Sequence, residues 1–191
     1  MTAGVEGVPP AASGGVASPP TTAAERLVSS LRDKRLTVAT AESVTAGLIS
    51  ATLADVPGAS AVLRGGLSSY TTDVKRDCLN IDNELLERHG VVSPQCAEAM
   101  AYRARLVFGA DVAIAATGVA GPEQLENQPV GTVFVAVASA AEVQTARLSL
   151  AGDRRAIRLA TVDAALTLAI SVVGEIRSRS GGTPRSAPDA G

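Results

Sequence analysis

Apolar residues recur along this chain with two spacings, one typical of amphipathic helices and the other of buried strands. The segment 24–32 places Leu27, Val28 and Leu31 on one helical face. The run 36–41 is apolar except for two threonines, as in a buried strand. The remaining predicted elements are, in chain order, a helix over 45–54, a strand over 61–70, short helices over 73–79 and 83–89, a helix over 94–107, a strand over 111–116, two paired strands over 130–138 and 143–150, and a last helix from Asp153 to about 176.

Residues that favour helix ends support several of these boundaries. Ser93 and Asp153 belong to the residue types that cap a helix N-terminus, and Pro94 suits the first helical position. Gly90 suits the position that follows a helix C-terminus. Because helices and strands alternate, the predicted fold class is α/β, a three-layer α/β/α sandwich whose mostly parallel mixed sheet contains one antiparallel pair.

Composition separates one folded domain from two tails. The segments 1–22 and 178–191 are rich in Gly, Ala, Pro, Ser and Thr, and they cannot bury enough apolar surface to offset the entropy of ordering them. We therefore predict that both tails are disordered. The segment 23–177 is predicted to be a single domain, since a chain of 191 residues fits the usual size of one domain.

Charge and composition narrow the classes of partner. With 17 basic and 19 acidic side chains the net charge is −2, which gives no electrostatic drive toward nucleic acid or an anionic membrane. Aromatic residues make up only 2% of the chain, so the platforms on which bases stack are scarce as well. Neither a signal-peptide pattern nor an apolar run close to the ~20 residues of a membrane span is visible, so the expected location is the cytoplasm.

Metal and cofactor chemistry are not indicated. Cys78 and Cys96 are the only cysteines, and neither belongs to a CxxC pattern or a Cys/His cluster. We therefore expect reduced thiols, with neither a disulfide framework nor a metal site. No loop has a Walker A or GxGxxG sequence, which would indicate a specific nucleotide cofactor.

Two loops that follow predicted strands are the candidate ligand-binding segments, 42–47 and 117–122. Ligands of open α/β sheets bind beyond the carboxyl ends of the strands, and both segments offer hydroxyl groups and small residues there. Ser43 in the first loop has two interpretations. It is either the N-cap of the next helix, which its position alone favours, or a nucleophile, which needs a nearby base.

Few side chains can serve as that base. His89 is the only histidine, and its place at a predicted helix end indicates an interaction with the helix dipole rather than catalysis. The only lysines are Lys34 and Lys75, and Lys34 precedes the first strand, at the wrong end of the sheet. Lys75 follows the strand that ends at Tyr70, near the ligand-binding end. It is either a solvated helix lysine or a base whose pKa must be lowered toward neutrality.

Five segments resemble, in their order and spacing, the CinA C-terminal domain family, some of whose members are nicotinamide mononucleotide deamidases. The segments are TAESVTAGLISATLADVPGAS, SYTTDVKRDCL, ERHGVVSPQCAEAMA, ATGVAGPE…QPVGTVFVAVA and GDRRAIRLATVDAAL. The resemblance extends over about 24–176. No segment resembles the separate N-terminal domain that some CinA proteins carry, so we expect the stand-alone form.

The resemblance implies an amidohydrolase that converts nicotinamide mononucleotide to nicotinic acid mononucleotide and ammonia, needs no metal or organic cofactor, and forms a homo-oligomer. Ser43 falls on the nucleophile, Lys75 on the general base and later acid, and Tyr70 on the strand-end tyrosine, the third residue assigned to catalysis. The residues expected to bind the substrate are Glu42, Thr45, Ala46, Gly47, Thr117, Gly118, Gly121, Arg154 and Arg158.

The resemblance also suggests how the chemistry is supported. Arg158 is expected to share with Arg154 the role of binding phosphate or balancing the active-site charge. A positive Arg154 would help to keep Lys75 neutral. Backbone N–H groups at the predicted helix start near Thr45 would stabilise an oxyanion.

The sequence departs from the family pattern at Val44, Ala46 and Thr72, and its loop 122–129 contains glutamates and no glycine. Ala46 adds a methyl group where the backbone approaches a ligand, and an acidic loop is unfavourable for an anionic nucleotide. Two alternatives therefore stay open. One is a nucleotide-binding or regulatory module with little or no turnover, and the other is a Ser-Lys hydrolase of another small amide or ester.

Overall fold

The computed structural model describes residues 22–177 as a five-stranded mixed sheet with helices on both faces. The strands are β1 (Val38–Glu42), β2 (Leu63–Ser68), β3 (Val112–Gly118), β4 (Thr132–Ala138) and β5 (Val143–Ser149). The helices are α1 (Ala23–Lys34), α2 (Leu48–Ala54), α3 (Thr72–Leu79), α4 (Asn83–His89), α5 (Pro94–Val107) and α6 (Arg154–Glu175), and a 3₁₀ turn at Ala59–Ala61 precedes β2. All the predicted elements are present, with ends that differ by a few residues.

The tails predicted to be disordered fall almost entirely outside the described residues, which begin at Thr22 and end at Arg177. Thr22 itself, which the prediction placed in the N-terminal tail, is the N-cap of α1. Its hydroxyl accepts from Glu25 N at 3.2 Å, and its own N–H donates to the Glu25 carboxylate at 2.8 Å. This reciprocal pair is a capping box, so Thr22 belongs to the start of α1 and not to the tail in which the prediction placed it.

The strands are ordered β2-β1-β3-β4-β5 across the sheet. β1 is parallel to both β2 and β3, whereas β4 is antiparallel to both β3 and β5. The α/β fold is confirmed, but the sheet contains two antiparallel pairings where one was expected. The extra pairing arises because β4 follows β3 through a loop with no helix, and a parallel neighbour requires a crossover connection.

Each face of the sheet has its own core. The face under α1, α2 and α6 carries larger aliphatic side chains, among them Val38, Ile114 and Val135. The face under α5 carries mainly alanine, including Ala39 and Ala113, and the helix meets it with further alanines. Small side chains on both surfaces allow a helix to lie close to the strands, which fits a chain with very few aromatic residues.

α6 is 22 residues long and, by length and composition alone, apolar enough to cross a membrane. Polar residues interrupt its apolar sequence, so it does not read as one continuous hydrophobic run. Leu166 and Val173 lie on its buried stripe, which packs against α1 and the sheet. Its C-terminal end is held by Lys34, whose Nζ donates to the carbonyls of Val173, Gly174 and Ile176 at 2.7, 2.7 and 2.5 Å. α6 is therefore a core helix of this domain.

The start of α2 differs from the prediction in a way that matters for function. The helix begins at Leu48 rather than at Thr45, because Ala46 and Gly47 adopt left-handed backbone angles, with φ of 50° and 97°. A non-glycine residue at positive φ is uncommon, so Ala46 marks a locally strained turn. The residues that follow Ser43 are consequently in a tight turn, which leaves some of their N–H groups outside helical hydrogen bonds.

Candidate active site

Ser43 is placed by the end of the central strand β1. Its N–H donates to the carbonyl of Ala116 on β3 at 2.9 Å, which fixes it at the carboxyl edge of the parallel strands. Its exposed fraction is 8%, so it lies just beneath the surface. The N-cap residue of α2 is Gly47, and it has no side-chain cap. The hydroxyl of Ser43 therefore does not cap this helix, which removes the simpler of its two interpretations.

Lys75 lies on the first turns of α3 and is buried, with an exposed fraction of 1%. Its Nζ lies 3.0 Å from Ser43 Oγ. The same nitrogen donates to the backbone carbonyls of Ser69 at 2.8 Å and Tyr70 at 3.4 Å. Lys75 is thus not a solvated helix lysine. The two residues assigned to nucleophile and base are in direct hydrogen-bond contact.

Burial lowers the pKa of Lys75 below its ordinary value of 10.5. Three groups oppose this effect: the Cys96 thiol on α5, the Glu126 carboxylate in the β3–β4 loop, and Asp73 on α3 itself. Burial also raises the pKa of Cys96 to about 11, so its thiol is neutral at physiological pH and adds no charge there. Since Arg154 is not among the groups that lower the pKa of Lys75, desolvation is the cause, and the expected help from Arg154 is not found.

The contacts of Lys75 suit a neutral amine that faces a serine hydroxyl. A neutral amine has two N–H groups and one lone pair, whereas an ammonium has three donors and no acceptor. When the two N–H groups donate to the carbonyls of Ser69 and Tyr70, the lone pair is left for the hydroxyl proton of Ser43. This geometry can transfer the proton of Ser43 to Lys75 without moving either residue.

Glu42, expected to contact the substrate, instead organises the loop. Its side chain is completely buried. One oxygen accepts from the N–H groups of Gly47 and Ile49, each at 2.9 Å. The other accepts from the N–H and the hydroxyl of Ser50, both at 2.8 Å, and from Thr40 Oγ1 at 3.1 Å. Glu42 therefore caps α2 from the strand and has no carboxylate oxygen free for a ligand.

The N–H groups of Val44 and Thr45 are the candidate oxyanion-binding donors. Within the described range 22–177 neither donates to a protein acceptor, whereas those of Ala46, Gly47 and Leu48 are all engaged. Both follow Ser43 directly in the tight turn, so they lie next to the predicted nucleophile. Oxyanion holes are commonly built from such preorganised backbone donors.

Two arginines of α6 lie beside this turn but have different surroundings. Arg158 Nε donates to the carbonyl of Val44 at 3.1 Å and its Nη2 to that of Thr45 at 2.7 Å. This guanidinium is thus engaged by the backbone of the nucleophile loop. Arg154 donates to Tyr70 Oη at 3.3 Å and, with its other nitrogen, to the carbonyl of Gly121. Arg154 is exposed and so remains accessible to a ligand.

The tyrosine and the glycine-containing loop form the rim of the site. Tyr70 is 56% exposed, and Arg154 ties its hydroxyl to the loop at Gly121. Thr117 is buried, and its hydroxyl donates to the carbonyl of Val91 at 2.6 Å, so it fixes the turn between α4 and α5. Gly118 packs against β4, where a side chain would collide with Val133. Thr117 and Gly118 therefore shape the site without an evident contact to a ligand.

Sequence reasoning did not single out two residues that belong to this region. Ser69 supplies the closest carbonyl to Lys75, and its buried hydroxyl has no hydrogen-bond partner among the described residues, as is true of Thr45 Oγ1. Glu126 was considered only as one charge of an acidic loop, yet it acts on Lys75. The position of Ser69 beside Tyr70 was the only available signal. Among residues 22–177, no three His, Cys, Asp or Glu side chains are grouped so as to hold a metal ion.

Family models, solved structures and curated sequences all show that this chain is similar to CinA proteins. The family model of the CinA C-terminal domain matches residues 20–173. A CinA superfamily protein from Klebsiella pneumoniae superimposes with a TM-score of 0.78 at 30% identity, over 81% of this chain and 97% of that one. The competence/damage inducible protein CihA from Agrobacterium tumefaciens superimposes with a TM-score of 0.76 at 37% identity. The match covers 80% of this chain and 94% of that one.

Curated sequences classed among the competence-damage inducible proteins are also similar. One from Desulforudis audaxviator is 46% identical over 136 residues, which is 71% of this chain and 33% of the relative. One from Streptococcus pyogenes is 47% identical over 119 residues, which is 62% of this chain and 28% of the relative. The chain thus spans about a third or less of the length of these relatives.

Proposed function

Because this chain belongs to the CinA C-terminal domain family, we propose that it is an amidohydrolase that converts nicotinamide mononucleotide to nicotinic acid mononucleotide and ammonia. The observation that carries this proposal is the contact of 3.0 Å between Lys75 Nζ and Ser43 Oγ, with Lys75 buried. A desolvated lysine beside a serine is the arrangement in which the lysine can act as the base.

In the first step, neutral Lys75 takes the proton of Ser43 while Ser43 Oγ bonds to the carboxamide carbon. The carbonyl oxygen of the substrate becomes an oxyanion, which the N–H groups of Val44 and Thr45 stabilise. When the C–N bond breaks, Lys75 returns its proton to the departing nitrogen, which leaves as ammonia. The product of this step is an ester between Ser43 and the nicotinoyl group.

In the second step, water hydrolyses the ester. Neutral Lys75 now takes a proton from the water, whose oxygen bonds to the acyl carbon. The C–O bond to Ser43 then breaks, and Lys75 returns the proton to Ser43 Oγ. The carboxylic acid product ionises and leaves, so both residues regain their starting states, and no metal or organic cofactor takes part in the scheme.

The rim of the site provides the groups that hold the nucleotide in this proposal. The exposed guanidinium of Arg154 supplies positive charge for the phosphate, and Tyr70 supplies an aromatic face and a hydroxyl at the same opening. Arg158 supports the nucleophile loop through the carbonyls of Val44 and Thr45. Positioning of this kind accounts for a large part of the rate enhancement in hydrolases.

The test is to incubate the full chain with nicotinamide mononucleotide and to measure both ammonia and nicotinic acid mononucleotide. Equal amounts of the two products, absent with the Ser43→Ala variant, are the expected result. Binding of the nucleotide without either product would instead indicate the regulatory module with no turnover. Absence of both binding and turnover would reject this substrate.

A second candidate function, hydrolysis of a small amide that carries no phosphate, is favoured by two observations. Arg158, one of the two expected phosphate ligands, already binds two backbone carbonyls. The loop 122–129, which follows Gly121 directly, also carries Glu123 and Glu126, whose negative charges are unfavourable for an anionic ligand. Assaying nicotinamide, nicotinamide riboside and a panel of small amides beside the nucleotide distinguishes the two functions.

The expected location and assembly are part of the same proposal. We place the protein in the cytoplasm, where the proposed nucleotide substrate is present and where cysteines stay reduced. We propose a homo-oligomer, for which the exposed apolar side chains of Tyr102, Leu106 and Val107 near the end of α5 offer contact area. Light scattering coupled to size-exclusion chromatography measures the assembly directly, and a monomer mass would contradict it.

A further inference from the structure

Glu126 is a charged residue in the β3–β4 loop whose carboxylate is held by another part of the chain. Its two oxygens accept from the N–H groups of Val91 and Val92, at 3.1 and 3.0 Å. These N–H groups belong to the turn between α4 and α5, 35 and 34 residues away in sequence. A carboxylate that accepts two backbone N–H groups forms charge-assisted hydrogen bonds, which are stronger than neutral ones.

The backbone at Glu126 is adapted to this contact. Leu125 and Gln128 exchange two backbone hydrogen bonds, at 3.2 and 2.8 Å, around a two-residue turn. Both central residues, Glu126 and Asn127, have left-handed backbone angles, with φ of 50° and 59°. Such turns favour Asn, Asp or Gly at these positions, so glutamate is an unfavourable choice for the turn itself. Such a backbone strain persists where the surrounding structure requires it, and here the Glu126 side chain binds the α4–α5 turn.

The receiving turn is adapted as well. Gly90 has a positive φ of 78°, which favours glycine, and a side chain at this position would collide with the Glu126 carboxylate. The carbonyl of the neighbouring Val91 also accepts a hydrogen bond from the hydroxyl of Thr117, at 2.6 Å. One short turn thus binds the end of β3 through Thr117 and the following loop through Glu126.

The loop that Glu126 holds lies close enough to Lys75 for the Glu126 carboxylate to act on it electrostatically. At its start, the carbonyl of Gly121 accepts from Arg154, and further along Glu126 binds the α4–α5 turn, so the loop is fastened at two points. The charged and titratable groups that face Lys75 are Cys96 from α5, Asp73 from α3 and Glu126 from this loop. Cys96 is neutral at physiological pH, so Glu126 is the negative charge that a segment other than α3 brings to Lys75.

We propose that Glu126 is a positioning residue, which latches the loop 121–129 onto the α4–α5 turn and in this latched state supplies the negative charge that balances the ammonium form of Lys75. In the catalytic cycle this charge favours the state in which Lys75 holds the proton between its removal from Ser43 and its delivery to the leaving nitrogen. The inference rests on the proposed role of Lys75 as the base, but its principal test does not depend on turnover.

The test uses the fact that Lys34 and Lys75 are the only lysines of the chain. Protein labelled with ¹³C at the lysine ε-carbon gives two signals by NMR, and the Lys34→Arg variant identifies that of Lys75. We expect the titration of Lys75 to move to lower pH in Glu126→Gln, because the removed charge raises the pKa of Lys75 in the native protein. The matched control is Glu123→Gln, which removes another charge from the same loop and should leave the titration in place.

The latch itself is tested by hydrogen exchange at the amides of Val91 and Val92. Loss of a charge-assisted hydrogen bond should accelerate exchange by about tenfold or more in Glu126→Gln. Glu126→Asn should do the same, although asparagine suits the left-handed turn better, so a weakened turn would not explain the result. Gly90→Ala should also release the carboxylate, whereas Gly109→Ala changes a left-handed glycine that has open space around it and should not.

The kinetic readout follows if the chain hydrolyses the nucleotide. The acid limb of the kcat/KM profile should then move to lower pH in Glu126→Gln and stay in place in Glu123→Gln. An unchanged Lys75 titration, or unchanged exchange at Val91 and Val92, would overturn the proposal. If the chain does not turn over the nucleotide but the Lys75 titration still shifts in Glu126→Gln, the proposed substrate is rejected and the role of Glu126 stands.

Discussion

Lys75 Nζ lies 3.0 Å from Ser43 Oγ, although 32 residues separate the two in sequence. The parallel pairing of β1 and β2 brings them together, because it aligns the ends of both strands at one edge of the sheet. Ser43 follows the first strand directly, and α3 returns Lys75 over the end of the second. The contact is therefore a consequence of topology, and it depends on helix α3 being packed tightly enough to bury a lysine.

The first prediction concerns this pair as one catalytic unit. Ser43→Ala and Lys75→Ala should each lower kcat by about 10³-fold or more, and the double variant should be little slower than either single one. Lys75→Arg should not restore activity, because arginine keeps its proton. Lys34→Ala, which removes the other lysine, is the matched control and should retain the rate. Additive losses in the double variant would show that the two residues act separately.

The second prediction concerns the pH dependence of stability. The pKa of Lys75 is lower in the folded protein than its value of 10.5 in the unfolded chain, so the folded state binds fewer protons between the two values. The stability associated with neutral Lys75 is complete above 10.5 and is lost as the pH falls through the folded pKa. We therefore expect Lys75→Met to be more stable than the native chain at about pH 6, with a smaller advantage at about pH 9. Thermal melts at the two pH values measure this, and an advantage that grows with pH would contradict it.

The third prediction concerns Arg154 at the rim. Arg154→Ala removes the donor to Tyr70 and Gly121 together with an exposed positive charge. We expect kcat/KM to fall by about tenfold or more while the melting temperature changes little, since exposed contacts contribute little to stability. The side chain of Arg155, the next residue, is also exposed and makes no hydrogen bond within residues 22–177, and Arg155→Ala is the control. Equal kinetics in the two variants would remove Arg154 from the site.

The fourth prediction concerns Glu42 as the support of the nucleophile loop. Glu42→Gln replaces an acceptor of five hydrogen bonds with an amide whose NH₂ must face N–H donors. We expect a loss of about 2–4 kcal/mol in the free energy of unfolding, because buried donors lose their partner. Glu123→Gln, in an exposed loop, should cost almost nothing. Chemical denaturation measures both variants, and similar stabilities would show that the buried carboxylate is not needed.

Much of the fold follows from local sequence. Apolar spacing predicts the helices and strands, and the predicted caps Ser93 and Asp153 each accept a hydrogen bond at a helix start. The exception is the start of α2, where left-handed angles at Ala46 and Gly47 delay the helix. The sequence does not reveal this delay, because α2 is capped by the carboxylate of Glu42 at the end of β1 and not by its N-cap residue, Gly47.

Ser43 and Lys75 were candidates by residue type and position, and the resemblance to the family assigned their roles. Only two lysines exist, and one of them follows a strand at the ligand-binding end, so Lys75 was the available base. Its proximity to Ser43 and its burial could not be read from the chain, since both depend on how α3 packs. The resemblance to the family also assigned Glu42 and Arg158 to the substrate. From residue type alone, a charged side chain that binds a ligand cannot be distinguished from one that binds the backbone of a loop.

The amino-acid sequence by itself therefore determined the α/β class and the order of the elements, because these depend on periodicity and residue type, and it offered Ser43 and Lys75 as candidates for the chemistry. Only the tertiary structure decided which charges face a ligand and which hold the loops. Glu42 and Arg158 bind backbone groups, and Glu126 reaches across to Val91 and Val92. The contacts of Arg158, Glu126 and Lys75 join segments distant in sequence, and the burial that results lowers the pKa of Lys75.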